Sequence, residues 1–179
     1  MVADISLQSP RQLDSAFSNI PAFQHSSIWH FPPFPIIPPV PSILDKQSAL
    51  VDEFAAFPTW EERYTRLIAM AKALEPLADA DRIDANKVRG CSSQVWLVQR
   101  NDGGRLYFRA DSDAVLVRGL VALLLHVYSG HTPREILGTP PDFLEDMGLN
   151  AHLSPNRANG LASMAARIRQ IAEAAHAPS

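Results

Sequence analysis

The chain holds one cysteine, Cys91, set in the stretch Lys87-Val88-Arg89-Gly90-Cys91-Ser92-Ser93-Gln94-Val95-Trp96. A single thiol can neither close a disulfide within the chain nor supply a multi-cysteine metal site. Two roles remain. One is an inert filler, since free cysteine is among the most buried residue types. The other is a nucleophile that forms a covalent intermediate. A thiol reacts as its thiolate, and the flanks favour that second role: Lys87 and Arg89 are placed to lower the pKa, and Gly90 lets the backbone lift the cysteine onto a tight loop.

Other chemistries available to a lone cysteine fit less well. His126 and His152 are candidate bases for a papain-like pair, but the residues around Cys91 lack the signature of such a nucleophile. A thioredoxin-like site requires Cys-x-x-Cys. A rhodanese-type loop opens a ring of backbone donors ahead of a helix, whereas a strand pattern follows Cys91. A zinc or iron–sulfur scaffold fails on ligand count unless subunits share Cys91. The acids Asp79, Asp81 and Asp84 lack the central glycine and closing glutamate of an EF-hand, which leaves a solvated linker over residues 77–86.

The elements that must hold Cys91 follow from periodicity and punctuation. Asp45 is a cap for a helix over residues 46–56, with Leu50, Val51 and Phe54 on one face, closed by Pro58. Thr59 and Glu62 form a capping box for a second helix that runs towards Pro76, with Trp60, Tyr64, Leu67, Ile68, Ala71 and Leu74 at helical spacing. Residues 94–100 and 105–110 are strands joined through Asn101-Asp102-Gly103-Gly104, a hairpin signal. All of Val95, Trp96, Leu97 and Val98 are apolar, so the first strand is expected to be covered on both faces.

Asp111-Ser112-Asp113 is expected to cap an apolar helix over residues 114–128, ended by Ser129-Gly130. Thr132-Pro133 with Glu135, Thr139-Pro140 with Asp142, and Ser154-Pro155 each put a hydroxyl ahead of a proline at a helix start. The last helix spans about residues 156–174, with Leu161, Met164, Ile168 and Ile171 as its inward stripe. Helix, helix, small sheet, then helices is an α+β order, with helices mainly on one side of an antiparallel sheet.

Three blocks in this order resemble the SufE family of sulfur-acceptor proteins. They are Gly90-Cys91-Ser92-Ser93-Gln94-Val95-Trp96; Asp111-Ser112-Asp113-Ala114 running into Val117-Arg118-Gly119-Leu120; and Leu153-Ser154-Pro155-Asn156-Arg157-Ala158-Asn159-Gly160-Leu161. The resemblance covers about residues 50–175 and is most specific around Cys91. It implies a SufE/IscU-like α+β fold. It also implies that Cys91 accepts persulfide sulfur from a cysteine desulfurase of the SufS or CsdA type, stimulates that enzyme, and passes sulfur to an iron–sulfur scaffold. The pyridoxal phosphate belongs to the desulfurase, and no cofactor is expected on this chain; a homodimer is possible. The competing reading is a noncatalytic binding module in which Cys91 only packs.

The expected neighbours of the acceptor are Arg89, Gly90, Ser92, Gln94, Asp113 and Arg157. A mobile loop is expected over residues 88–92, with Gly90 as hinge and Arg89 activating the thiolate or touching the partner. Gln94 either hydrogen-bonds the loop or is simply solvated at a strand edge. Asp113 is either a helix cap or a neighbour of the loop. Arg157 stands at a helix start, where a cation gains nothing from the dipole, so an acid or a thiolate is expected beside it.

Composition bounds the rest. With 179 residues, 46% of them hydrophobic, the chain suits one globular domain plus a tail. The formal charge is −3, which gives no electrostatic reason to bind nucleic acid or an anionic membrane. No basic segment precedes an apolar leader and no run approaches a membrane span. Together with the single cysteine, these features lead to an expected cytoplasmic location. Residues 1–44 carry eight of the fifteen prolines, and the expected division is a Pro-rich, poorly ordered extension over 1–44 and a sulfur-acceptor domain over 45–179.

Overall fold

A computed structural model describes residues 40–177. The element order is α1 (Ile43–Ala55), α2 (Trp60–Ala73), two single 3-10 turns (Asp79–Asp81 and Asp84–Asn86), β1 (Val95–Asp102), β2 (Arg105–Ser112), α3 (Val115–Tyr128), α4 (Pro133–Gly138), α5 (Phe143–Asp146), α6 (Leu149–His152) and α7 (Pro155–His176). This is the expected α+β class, with helices dominating a small antiparallel hairpin. The expected extension falls, over residues 1–39, outside the described residues.

Local signals account for most boundaries. Thr59 accepts from the Glu62 N–H while Glu62 reaches back to the Thr59 N–H, so the capping box of α2 forms as expected. The same box forms at α4 between Thr132 and Glu135, with Pro133 in the first turn. At α1 the cap is not Asp45 but Ser42. Asp45 is the third residue of that helix and its carboxylate accepts from the Ser42 N–H, completing a box that starts three residues early. Thr139 caps nothing at a helix start; it ends α4, and α5 begins after Asp142 without a side-chain cap.

The hairpin turn is Gly103-Gly104, both with positive φ, and Asp102 pairs directly with Arg105. Two successive left-handed residues match the right-handed twist of the flanking strands, and glycine accepts that conformation without strain. Val95 and Leu97 are buried, whereas Trp96 and Val98 are only half-buried. The expectation of a first strand covered on both faces is therefore corrected: one face is fully buried and the other only in part. On β2, Leu106, Phe108 and Ala110 point inward and Tyr107 and Arg109 outward.

The core sits between that inward face, α2, α3 and α7. Ten of the fourteen residues of α3 are buried, which makes it the central helix, as its near-continuous apolar run implies. Gly119 lets α2 approach it closely, since a Cβ there would lie 2.4 Å from the Leu67 carbonyl oxygen. Leu161, Met164, Ile168 and Ile171 of α7 are all buried against the same core. This long helix forms the floor on which the cysteine loop rests. Among the described residues no helix is long and apolar enough to cross a membrane.

Candidate functional site

Residues 89–94 form a loop closed at its base by a hydrogen bond from the Val88 N–H to the Val95 carbonyl, 2.9 Å, beside a bridge pairing Lys87 with Trp96. Cys91 sits on this loop. The downstream limb is fixed by two bonds: the Gln94 N–H donates to Asp113 Oδ1 at 3.0 Å, and the Asp113 N–H donates to the Gln94 carbonyl at 3.3 Å. Asp113 thus holds the base of the loop. It does not cap α3, whose first residues have no side-chain cap because β2 continues through Ser112.

The upstream limb is tied differently. Asp84 Oδ2 accepts from Arg89 at 2.8 Å and Asp84 Oδ1 pairs with Lys87 at 3.2 Å. The bonds from Arg89 and then Lys87 hold the Asp84 carboxyl below the usual carboxylate range. Both cations expected to activate Cys91 are therefore committed elsewhere. The thiol is half-buried, and burial pushes its pKa up, opposite to the depression expected from its flanks.

Gly90 has φ +89°, where an L side chain is strained, and its α-carbon faces α7 so closely that a Cβ would meet Ser163 Oγ at 2.7 Å. Next to it, Cys91 Sγ donates to the Gly160 carbonyl at 3.4 Å. A Cβ on Gly160 would itself lie 3.5 Å from that sulfur. The thiol is parked, protonated, on a flat part of α7. In this state it is sheltered on one side and open on the other, where Ser92 and Gln94 are exposed.

Arg157 lies three residues before Gly160 on α7, hence one turn away on the same helix face. It is exposed, and among the described residues no acid pairs with it; of the acid or thiolate expected beside it, the acid is not found and the thiol is seated one turn along α7, at Gly160. Of the expected neighbours, Gly90, Gln94 and Asp113 build the loop, Ser92 lies on it, Arg89 points to Asp84, and Arg157 flanks the seat. His152 stacks on Trp60 at 3.7 Å and approaches the Gly148 carbonyl, while His126 is exposed on α3. Among the described residues no hydrogen bond joins either histidine to Cys91, whose sulfur bonds the Gly160 carbonyl instead. Nor do the described residues include a cluster of His, Cys, Asp or Glu able to hold a metal.

Sequence reasoning missed Asp84, Gly160, Ser163 and Asp111 as parts of the support. Asp111 is 3% exposed and binds four groups: the Leu77 N–H, the Ser112 N–H, Arg82 at 2.6 Å and Arg118 at 3.3 Å. Burial pushes its carboxyl up, but the Ser112 bond, the two arginines and the Leu77 bond outweigh that and hold it low. It fastens the segment leading to the loop onto the outer face of β2. A signal for Gly160 was available, because a glycine inside a helix costs about 1 kcal/mol relative to alanine and usually marks a close approach.

The geometry defines a class: an α+β domain that presents one thiol on a hairpin-rooted loop, set against the flat face of a long helix. The chain belongs to the SufE family, described as an Fe-S metabolism associated domain, which matches residues 48–172. Among its relatives are uncharacterized SufE-like proteins of Rhizobium etli and Rhizobium meliloti. Each is 43% identical over 129 residues, covering 69% of this chain and 87% and 92% of theirs. Another, from Synechocystis sp., is 44% identical over 111 residues, 62% of this chain and 70% of that protein. The solution structure of a hypothetical protein from Thermus thermophilus matches with a TM-score of 0.62 at 23% identity, covering 73% of this chain and 95% of that one. That likeness concerns the fold. Membership of the family gives this chain a sulfur-related role in iron–sulfur metabolism.

Proposed function

We propose that the protein accepts persulfide sulfur on Cys91 from a pyridoxal-phosphate-dependent cysteine desulfurase, stimulates that enzyme, and hands the sulfur to iron–sulfur cluster assembly. The observation that carries this reading is the seat of Cys91: the chain's one thiol lies at the tip of a short loop, half-sheltered on α7 and tethered there by a single bond to the Gly160 carbonyl. Released from that carbonyl, Cys91 loses its proton to solvent, and its thiolate attacks the outer sulfur of the donor's persulfide. A new S–S bond forms to Cys91, the donor's S–S bond breaks, and the donor thiolate leaves and takes up a proton. The Cys91 persulfide then serves as donor to the next acceptor in the same way.

Shelter and access alternate in this scheme. The protonated, desolvated thiol is slow towards stray oxidants, which suits a carrier between visits. Asp113 and the Val88–Val95 bond keep the base of the loop fixed while its tip moves. Sulfide release by a cysteine desulfurase, measured with free cysteine as substrate, tests the reading. Wild-type protein should accelerate release and Cys91→Ser should not. Equal stimulation by both would instead support a binding module whose cysteine only packs.

A further inference from the structure

A cleft of about 430 Å3 opens beside the cysteine loop, between residues 84–89 and the middle of α7. Lys87 and Arg89 line it from the stem of the loop, Arg167 and Gln170 from α7, and Ser163 from beneath Gly90; Asp84 is its single acid. Three cations against one carboxylate is the opposite sign to the chain as a whole, at −3. Asp84 already divides its two oxygens between Lys87 and Arg89. Arg167 is half-buried and, among the described residues, has neither ion pair nor hydrogen-bond partner.

The Arg89 side chain is 77% exposed, so its pairing with Asp84 is weak and exchangeable. The guanidinium groups of Arg89 and Arg167 each offer a planar fork matched to a carboxylate. A cleft of this polarity gives an apolar ligand little to hold, and a nucleic-acid backbone needs a longer track of cations than one pocket on an acidic chain provides.

We propose that this cleft docks an acidic segment of the persulfide donor, an inference that rests on the sulfur-acceptor reading above. An incoming carboxylate engages Arg167 and competes with Asp84 for Arg89. Arg89 is joined directly to Gly90, whose positive φ seats it against Ser163. Docking therefore pulls on the limb that holds Cys91 against the Gly160 carbonyl, which ties recognition of the donor to release of the thiol.

The test is calorimetric titration of the full chain with its purified cysteine desulfurase at low and high salt, alongside iodoacetamide alkylation of Cys91 in the free protein. Arg167→Glu should raise Kd by about 10-fold or more at low salt, because it sets like charges against each other, and by less at high salt. Arg167→Gln should fall between it and wild type, and this milder change decides the matter if the reversal does not fold. Arg100→Glu, an equal charge change at the far end of the hairpin, should stay within about twofold of wild type. Unchanged alkylation in the Arg167 variants shows that the loop is intact. If wild type binds and takes up sulfur while both Arg167 variants bind equally tightly, the cleft assignment is overturned and the acceptor reading stands. If wild type neither binds the desulfurase nor takes up its sulfur, both fall.

Discussion

Gly90→Ala is the sharpest perturbation of the loop, because it loads this position with two separable costs. The new Cβ would meet Ser163 Oγ at 2.7 Å, but the next atom, Ser163 Cβ, lies at 3.5 Å. Rotation of the serine hydroxyl relieves that contact, so it contributes little. The φ of +89° cannot be relieved without moving the loop, and a side chain in the left-handed region costs about 1–2 kcal/mol. One half-buried thiol and one sulfur hydrogen bond oppose that cost, and bonds to neutral groups contribute about 0.5–1.5 kcal/mol at best. The strain wins or draws, so the loop tip lifts from α7 while its base stays closed.

Two readouts follow for Gly90→Ala. Urea unfolding should show a loss of no more than about 1–2 kcal/mol, since the loop yields before the core does. Iodoacetamide alkylation of Cys91 should become faster and its pH midpoint should move down towards that of a free cysteine, about 8.5, as desolvation is lost. Adding Ser163→Gly should restore little, because it removes the contact and leaves the φ unchanged. A variant with wild-type alkylation midpoint and wild-type stability would refute the account of the hinge. Full rescue by Ser163→Gly would show that crowding, not backbone strain, sets the cost.

Three further outcomes concern the frame. Asp111→Asn removes the buried carboxylate that holds half-buried Arg118 and the more exposed Arg82 and should cost about 1.5–3 kcal/mol in urea unfolding; the deficit should shrink in acid, where the wild-type carboxylate is itself protonated. Gly119→Ala pushes a methyl group into the Leu67 carbonyl of α2, a backbone atom that cannot rotate away, and should cost about 1–3 kcal/mol by the same assay. His131 is 2% exposed, and burial lowers its pKa; its contribution is present above the unfolded value of about 6.5 and is lost as pH falls through the lower folded value. Unfolding free energy should therefore decline below about pH 6.5, and His131→Leu should flatten that slope.

The two capping boxes at Thr59 and Thr132, the Gly103-Gly104 turn and the inward stripe of α7 were legible because each is a local device whose partners lie within one turn or one hairpin. Legibility failed where the same residue types had a tertiary alternative. Ser42 and Asp45 both suit a cap, and only the position of the first apolar contact, Ile43, selects Ser42. Asp111-Ser112-Asp113 looks like a cap three times over, yet Asp111 is drawn to Arg82 and Arg118, and Asp113 to the backbone of Gln94. Lys87 and Arg89 flank Cys91 in the chain, but Asp84 accepts both, so closeness in sequence gave the wrong sign for the thiol's pKa. The position of Cys91 on a loop before a strand was readable. Its seat on Gly160 was not, because that contact joins residues 69 positions apart.

The most direct test of the central claim is the mass of the protein after incubation with a cysteine desulfurase and free cysteine. The account predicts a gain of sulfur that maps to the Cys91 peptide, is removed by a thiol reductant and is absent from Cys91→Ser. Stimulation of the desulfurase with Cys91 left unmodified throughout turnover would contradict it.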